Sequence, residues 1–534
     1  MVKNKRLGIL VVVMAMLFIL VACSTDDSKG EKSSDGKENN NDKQTVVYGR
    51  GADSVSLDPS TVTDGESFKV ARNIFETLLV FGEQDTSTQA GLAKDTKISD
   101  DGKTYTFMLE ENVKFHDGTD FNAEAVVKNF ERWMNGSADQ FPYYADMFGG
   151  FKGDENHIIE SVKADGDYTF IIQLKKPMIP LLNNLAMVAF SIASPTAFEK
   201  DGGKFGENPV GTGPFKFSEW KRNDSVVLTK NNDYWQDGLP KLYSVIFKAM
   251  PDNAARLNAL MSGEIDIADG VAPASISTVE QNDQITLIER PSFNVGYLGM
   301  TTNKAPFTDI KLRQAISHSV NRQVIADTFF EGKALVAKNP VQPTALGYNE
   351  DTPLYDYDPE KAKALLKESS YDGKELELWA MPVPRPYMPD GQKVAEAIQK
   401  NLEDVGIKTK IVSFEWATYL EKTKAGEADL FLLGGTSDNG DPDNLLSLFF
   451  DRDGSLNNSQ FSIDKVQKLL QAGRSEQDVE KRKELYKEIQ LILHKEAPVL
   501  PLVHSTPLLA ASKSVKNFKA HPTEADDLKN VSVE

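Results

Sequence analysis

A chain of 534 residues is several times the roughly 100–200 residues of one domain, so it is read as about three domains or two large ones. Hydrophobic residues make up 40% and charged residues 26%, which excludes a largely disordered chain. The net charge of −19 argues against nucleic acid or an anionic surface as partner, but it does not constrain the sign of a local site.

The chain begins MVKNKRLGILVVVMAMLFILVAC, in which Lys3, Lys5 and Arg6 precede an uncharged apolar run over 7–22. That run is short for a membrane span and has the charge pattern of a leader, so residues 1–22 are read as a signal peptide. The segment LVAC resembles a bacterial lipobox and places Cys23, the only cysteine, at the lipidation position. The mature chain then has no disulfide. More than one acyl chain holds a protein on a membrane where a single chain does not. Residues 23–43 follow as a disordered tether, with no apolar residue after the cysteine to offset chain entropy.

From residue 44 the elements become regular. QTVVYGRG (44–51) reads as a strand, LDPSTVTDGESF (57–68) as a loop, and KVARNIFETLLVFG (69–82) as an amphipathic helix ending on Gly82. KISDDGKTYTFML (97–109) and ESVKADGDYTFIIQL (160–174) alternate around Asp-Gly turns, which predicts two hairpins. A capped helix is expected behind HDGTDFNAEAVVKNFERW. RLNALMSGEIDIADG (256–270) and YLEKTKAGEADLFLLGG (419–435) each run from helix to strand through a glycine suited to the left-handed C′ position. Residues 376–416 read as strand, proline-stiffened loop, helix closed by Gly406, and strand, which predicts an α/β lobe with loops at strand ends.

The densest acidic stretch is SDNGDPDN (437–444). An EF-hand loop started at Asp438 would have Phe449 where a bidentate glutamate belongs, and one started at Asp441 would have Leu445 among its ligands. The six histidines show no metal-ligand spacing, and no metal site is expected. No nucleophile elbow, Walker loop or dinucleotide fingerprint occurs, so no catalytic residue is assigned. Recognition of a charged ligand is the third reading. Asp438 follows one strand, and Arg385, held between Pro384 and Pro386, follows another. If those strands are neighbours, an acceptor for an ammonium and a fork for a carboxylate face one cleft. Two extended residues span about 7 Å, so the pair could measure a short zwitterion. Asp441 and Asp443 are read as turn and helix N-cap residues.

The lipobox and tether, DDGKTYTFMLEENVKFHDGTDFNAEAVVKNFERW (100–133), NPVGTGPFKFSEW (208–220), NNDYWQDGLPKL (231–242), LNALMSGEIDIA (257–268), FTDIKLRQAISHSVNR (307–322) and EAPVLPLVH (496–504) occur in order along the mature chain. Together they resemble the family 5 (peptide/nickel group) extracellular solute-binding proteins of ABC importers. The resemblance implies an α/β fold of the periplasmic-binding-protein type (type II, cluster C), with two hinged lobes and an extra domain. Domain I would comprise 44–75, 195–290 and 506–534, domain II 76–194, and domain III 291–505. MPVPRPY (381–387) and SDNGDPDN look most like the dipeptide-binding members. That likeness assigns Arg385 to a peptide carboxylate and Asp438 to its ammonium, with main-chain contacts at Thr63, Gly65, Gly435 and Thr436. Those members have a tryptophan where this chain has Gly435, which implies a missing wall and a wider pocket.

The implied function is a lipid-anchored receptor on the extracytoplasmic face of a bacterial membrane that captures dipeptides or short peptides for an ABC permease. It would be a monomer without cofactor, enzymatic activity or nucleic-acid partner. A nickel chelate, haem or a glutathione-like peptide as ligand, and a peptide-sensing role, stay open as alternatives.

Overall fold

Three sheets organise the chain in a computed structural model that describes residues 44–201 and 203–534. The signal peptide (1–22), Cys23 and the tether (23–43) lie outside the described residues. The first sheet has seven strands. Thr45–Arg50 runs parallel to Ser244–Ala249 on one side and to Ile267–Asp269 on the other. Ser225–Lys230 and Phe215–Lys221 extend it by antiparallel pairing. At the far edge Leu508–Ser512 inserts between Ile267–Asp269 and Ile285–Glu289, antiparallel to both. One sheet thereby collects segments from both ends of the chain.

The second sheet is the pair of expected hairpins, with order Ala93–Ile98, Thr104–Leu109, Thr169–Leu174, Ile159–Ala164. Gly102 and Gly166 take the left-handed backbone that each tight turn requires (φ 66° and 72°). The helix Ala123–Met134, capped by Asn122, covers this sheet, and its Phe130 ring lies 5.0 Å from that of Phe170.

The third sheet has the order Ala334–Val336, Val499–Ser505, Asn294–Met300, Leu430–Thr436, Leu376–Trp379, Thr409–Val412. The strand–helix–strand unit expected over 376–416 is present. The helix Gly391–Asp404 ends before Gly406 (φ 96°) and links two parallel strands. Gly263 (φ 75°) and Gly426 (φ 72°) close helices just before strands, as their spacing predicts. One hydrophobic core is shared by the first two sheets and another surrounds the third.

The helix expected over 69–82 is corrected. It spans Gly65–Ile74, capped by Asp64, and Leu79–Phe81 is a strand paired with Thr88–Ala90. Tertiary hydrogen bonds stop it. Gly213 N–H donates to the Ile74 carbonyl (2.9 Å) and Ile192 N–H to that of Glu76 (2.9 Å), so these carbonyls have partners outside the helix. The buried Glu76 carboxylate is taken by Thr212, Tyr234 and Trp235. The apolar residues 78–81 continue a helical pattern through this break, which is why periodicity overran it.

Candidate functional site

The strands Leu376–Trp379 and Leu430–Thr436 are adjacent and parallel, with Leu378 beside Leu430 and Trp379 beside Phe431. The loops that follow them therefore leave the same edge of the third sheet, and they carry Arg385 and Asp438. In open α/β sheets ligands bind at that edge, outside the carboxyl ends of the strands.

The Asp438 loop is fixed through its backbone. Ser437 N–H donates to the Phe293 carbonyl (2.8 Å), Asp438 N–H to Asn444 Oδ1 (3.0 Å), and Gly440 N–H to Ser437 Oγ (3.0 Å). The Asp438 carboxylate accepts from the Tyr143 hydroxyl at 2.7 Å. Burial pushes this carboxyl up to about 6, Glu524 adds to the rise, and the Tyr143 hydrogen bond opposes it. Among the described residues no cation pairs with it, so its charge is favoured only by neutral side chains, Tyr143 and Asn444. Asp438 also borders a cavity of about 220 Å³ walled in part by Phe68, Met187, Val188 and Ala525.

Asp441 and Asp443 serve the scaffold. Asp441 caps the helix Pro442–Phe450, accepting from Asp443 N–H (2.9 Å), and takes two hydrogen bonds from Arg482 at 2.8 and 2.7 Å. Asp443 accepts from Arg474 Nε (3.0 Å) and Ser447 Oγ (2.7 Å). The cap role agrees with the sequence reading for Asp441, whereas Asp443 stands within the first turn of the helix. The two arginines carry no local signal and were not anticipated.

The Arg385 loop is closed by a two-way backbone pair: Arg385 N–H donates to the Met388 carbonyl (3.1 Å) and Met388 N–H to that of Arg385 (2.9 Å). Ser505 Oγ donates to the Pro386 carbonyl at 2.8 Å, tying the loop to the sheet. Tyr387 is buried over Gly296 and Gly434, where a Cβ would stand 2.4 Å from the Tyr387 carbonyl oxygen and 2.4 Å from its ring. Both positions need glycine for that approach. The Arg385 guanidinium lies 5.8 Å from the Trp416 ring centroid and makes one long hydrogen bond, 3.4 Å, to the Pro384 carbonyl. Most of its donors are therefore uncommitted among the described residues.

Thr63 and Gly65 are exposed at the start of the helix Gly65–Ile74. Phe68 of that helix packs on Tyr143 at 5.9 Å, linking this segment to the phenol that holds Asp438. Gly435 and Thr436 end their strand opposite Val295 and Asn294. The wider pocket expected at Gly435 is corrected. A Cβ there would meet Phe449 Cζ at 2.7 Å, so the buried Phe449 ring already occupies that space.

The family model for bacterial extracellular solute-binding proteins, family 5 (middle), matches residues 87–457. The chain is a family 5 bacterial extracellular solute-binding protein. It is a binding protein and not an enzyme. The solute-binding protein is 36% identical over 511 residues to the dipeptide-binding protein of Escherichia coli (strain K12), covering 92% of this chain and 95% of that one. It is 32% identical to heme-binding protein A of Haemophilus influenzae, covering 97% and 98%. Its fold is similar to the ABC transporter-associated periplasmic binding protein DppA of Helicobacter pylori in complex with the peptide STSA. That likeness has a TM-score of 0.83, with 32% identity over 92% of this chain and 98% of that one. Among the described residues of the solute-binding protein, no helix is long and apolar enough to cross a membrane.

Tyr143 and Glu524 join the neighbourhood of Asp438 without any motif in the sequence to announce them, whereas Asn444 belongs to the same SDNGDPDN stretch. Tyr143 lies 295 residues away along the chain. Only the fold could have brought it there.

Proposed function

We propose that the solute-binding protein captures dipeptides or other short peptides by their two ends, the α-ammonium at Asp438 and the carboxylate at Arg385. The observation that carries this reading is that two groups of opposite charge, each without an ionic partner among the described residues, leave one sheet edge on adjacent strands. The likeness to the E. coli dipeptide-binding protein and to the H. pylori complex with the peptide STSA supports a peptide as ligand. The peptide main chain would pair with Thr63, Gly65, Gly435 and Thr436.

In the same reading the lobes follow domain I (44–75, 195–290, 506–534), domain II (76–194) and domain III (291–505), and they close by a hinge around the peptide. Closure is favoured only by contacts the ligand makes in the closed state and lacks in the open one. The chain would be held outside the cell by lipid on Cys23 after removal of residues 1–22, with 23–43 as tether, and would act as a monomer delivering peptide to an ABC permease.

Asp438→Asn and Arg385→Ala test the end clamp. Each removes a charge-assisted hydrogen bond and should weaken dipeptide binding by about tenfold or more in isothermal titration calorimetry, with circular dichroism unchanged. Wild-type affinity in both variants contradicts the clamp.

A further inference from the structure

Residues 521–526 form a turn anchored at both ends. His521 N–H donates to Asp526 Oδ1 (2.8 Å), the His521 ring nitrogen Nε2 bonds to the Gly82 carbonyl (3.0 Å), and Arg290 grips Asp526 with two nitrogens at 2.8 and 3.0 Å. Tyr48 adds a hydroxyl bond to Asp526 at 2.7 Å. Glu524 stands in this turn in a left-handed conformation, φ 65°, which is unfavourable for glutamate and is maintained by the anchors around it.

Thr523 and Ala525, on either side, line the same cavity as Asp438. The carboxylate of Glu524 turns toward the helix Gly65–Ile74, with Oε2 3.7 Å from where a Cβ of Gly65 would stand. It is partly exposed, and among the described residues no hydrogen bond holds it. The nearest cation is Lys69, 4.0 Å away, whose ammonium is already engaged by Asp269 at 2.6 Å and Glu66 at 3.2 Å. Around it, Arg50 is paired with Asp53, Lys69 with Glu66 and Asp269, and Arg290 with Asp526, while Arg256 donates to the main-chain carbonyls of Asp269 and Gly270. Asp64 is used as the helix cap. Glu524 is left as negative charge without a dedicated partner; burial is the main cause of the raised pKa values of Asp438 and Tyr387, and the charge of Glu524 adds to both.

We propose that Glu524 is a specificity-determining residue: with Asp438 it gives the ammonium end of the cleft two negative charges and selects peptides whose first residue has a basic side chain. The inference rests on the peptide reading above. One α-ammonium compensates one carboxylate. When closure removes water, the second stays uncompensated unless the ligand brings another cation. A neutral side chain of equal length lacks that cation, and an acidic one adds repulsion.

The test is calorimetry on the purified protein with lysyl-alanine, norleucyl-alanine and glutamyl-alanine. Lysyl-alanine should bind about tenfold or more tighter than norleucyl-alanine, and glutamyl-alanine weakest. In Glu524→Gln the lysyl to norleucyl ratio should fall to within about twofold, whereas Glu524→Asp, which keeps the charge, should retain the preference. Equal binding of lysyl- and norleucyl-alanine to the wild type, or an unchanged ratio in Glu524→Gln, overturns the role of Glu524 while leaving the peptide reading intact. Failure of all three dipeptides to bind overturns the peptide reading and this inference together.

Discussion

Asp438 and Arg385 differ in what the fold spends on them. Arg385 keeps its guanidinium near Trp416 with most of its donors uncommitted. Asp438 is ionised at a cost, because burial lifts its carboxyl to about 6. The folded value lies above the unfolded one, so the folded state favours the protonated form. The stability due to that form is complete below about pH 4 and is lost as pH rises through about 6. Two outcomes follow at this scale. Dipeptide affinity should hold between pH 8 and 7 and fall about tenfold by pH 5, as the acceptor for the ammonium is protonated, and in Asp438→Asn this dependence should flatten. The same variant should raise the stability of the ligand-free protein near pH 8 by on the order of 1–3 kcal/mol in urea titrations, with the gain shrinking at pH 5. Affinity independent of pH in the wild type would remove the basis for an ionised Asp438. Both charged residues were legible in the sequence, since each follows an apolar run and stands among prolines or acids. Tyr143 and Glu524 were not, because their roles depend on packing between segments far apart in the chain.

At the scale of elements, the loop 437–444 owes its shape to the helices after it. Asp441 is held by Arg482, of which 4% of the side chain is exposed, against 29% for Arg474 beside Asp443. Arg482→Ala would leave Asp441 a poorly solvated, unpaired carboxylate. It should lower stability by about 3–5 kcal/mol in denaturant titrations, and Arg474→Ala, at the wetter site, by less. A loss below about 1 kcal/mol for Arg482→Ala would show that the pair does not hold the loop. Local chemistry made the hairpins, the glycine-closed helices and the cap at Asp441 readable. The end of the first helix at Ile74 was not readable, because Gly213 and Ile192 terminate it from other parts of the chain. Gly435 misled for a related reason: its missing side chain is supplied by Phe449 from the next helix.

For the whole molecule, the seven-stranded sheet pairs residue 45 with 244 and residue 267 with 511, so its order could not be obtained from hydrophobic periodicity. What made the architecture legible was the ordered set of family motifs along the chain. The adjacency of the Arg385 and Asp438 strands, by contrast, was posed by the sequence only as a condition, and the parallel pairing meets it. The central claim is that a ligand is measured by its two charged ends. Calorimetry with a free dipeptide and with its N-acetylated, C-amidated counterpart tests this most directly, because side chains and length are the same. The free dipeptide should bind, and the capped one should bind about 100-fold more weakly or not at all, having lost the partners of both Asp438 and Arg385. Equal affinity for the two would contradict the account.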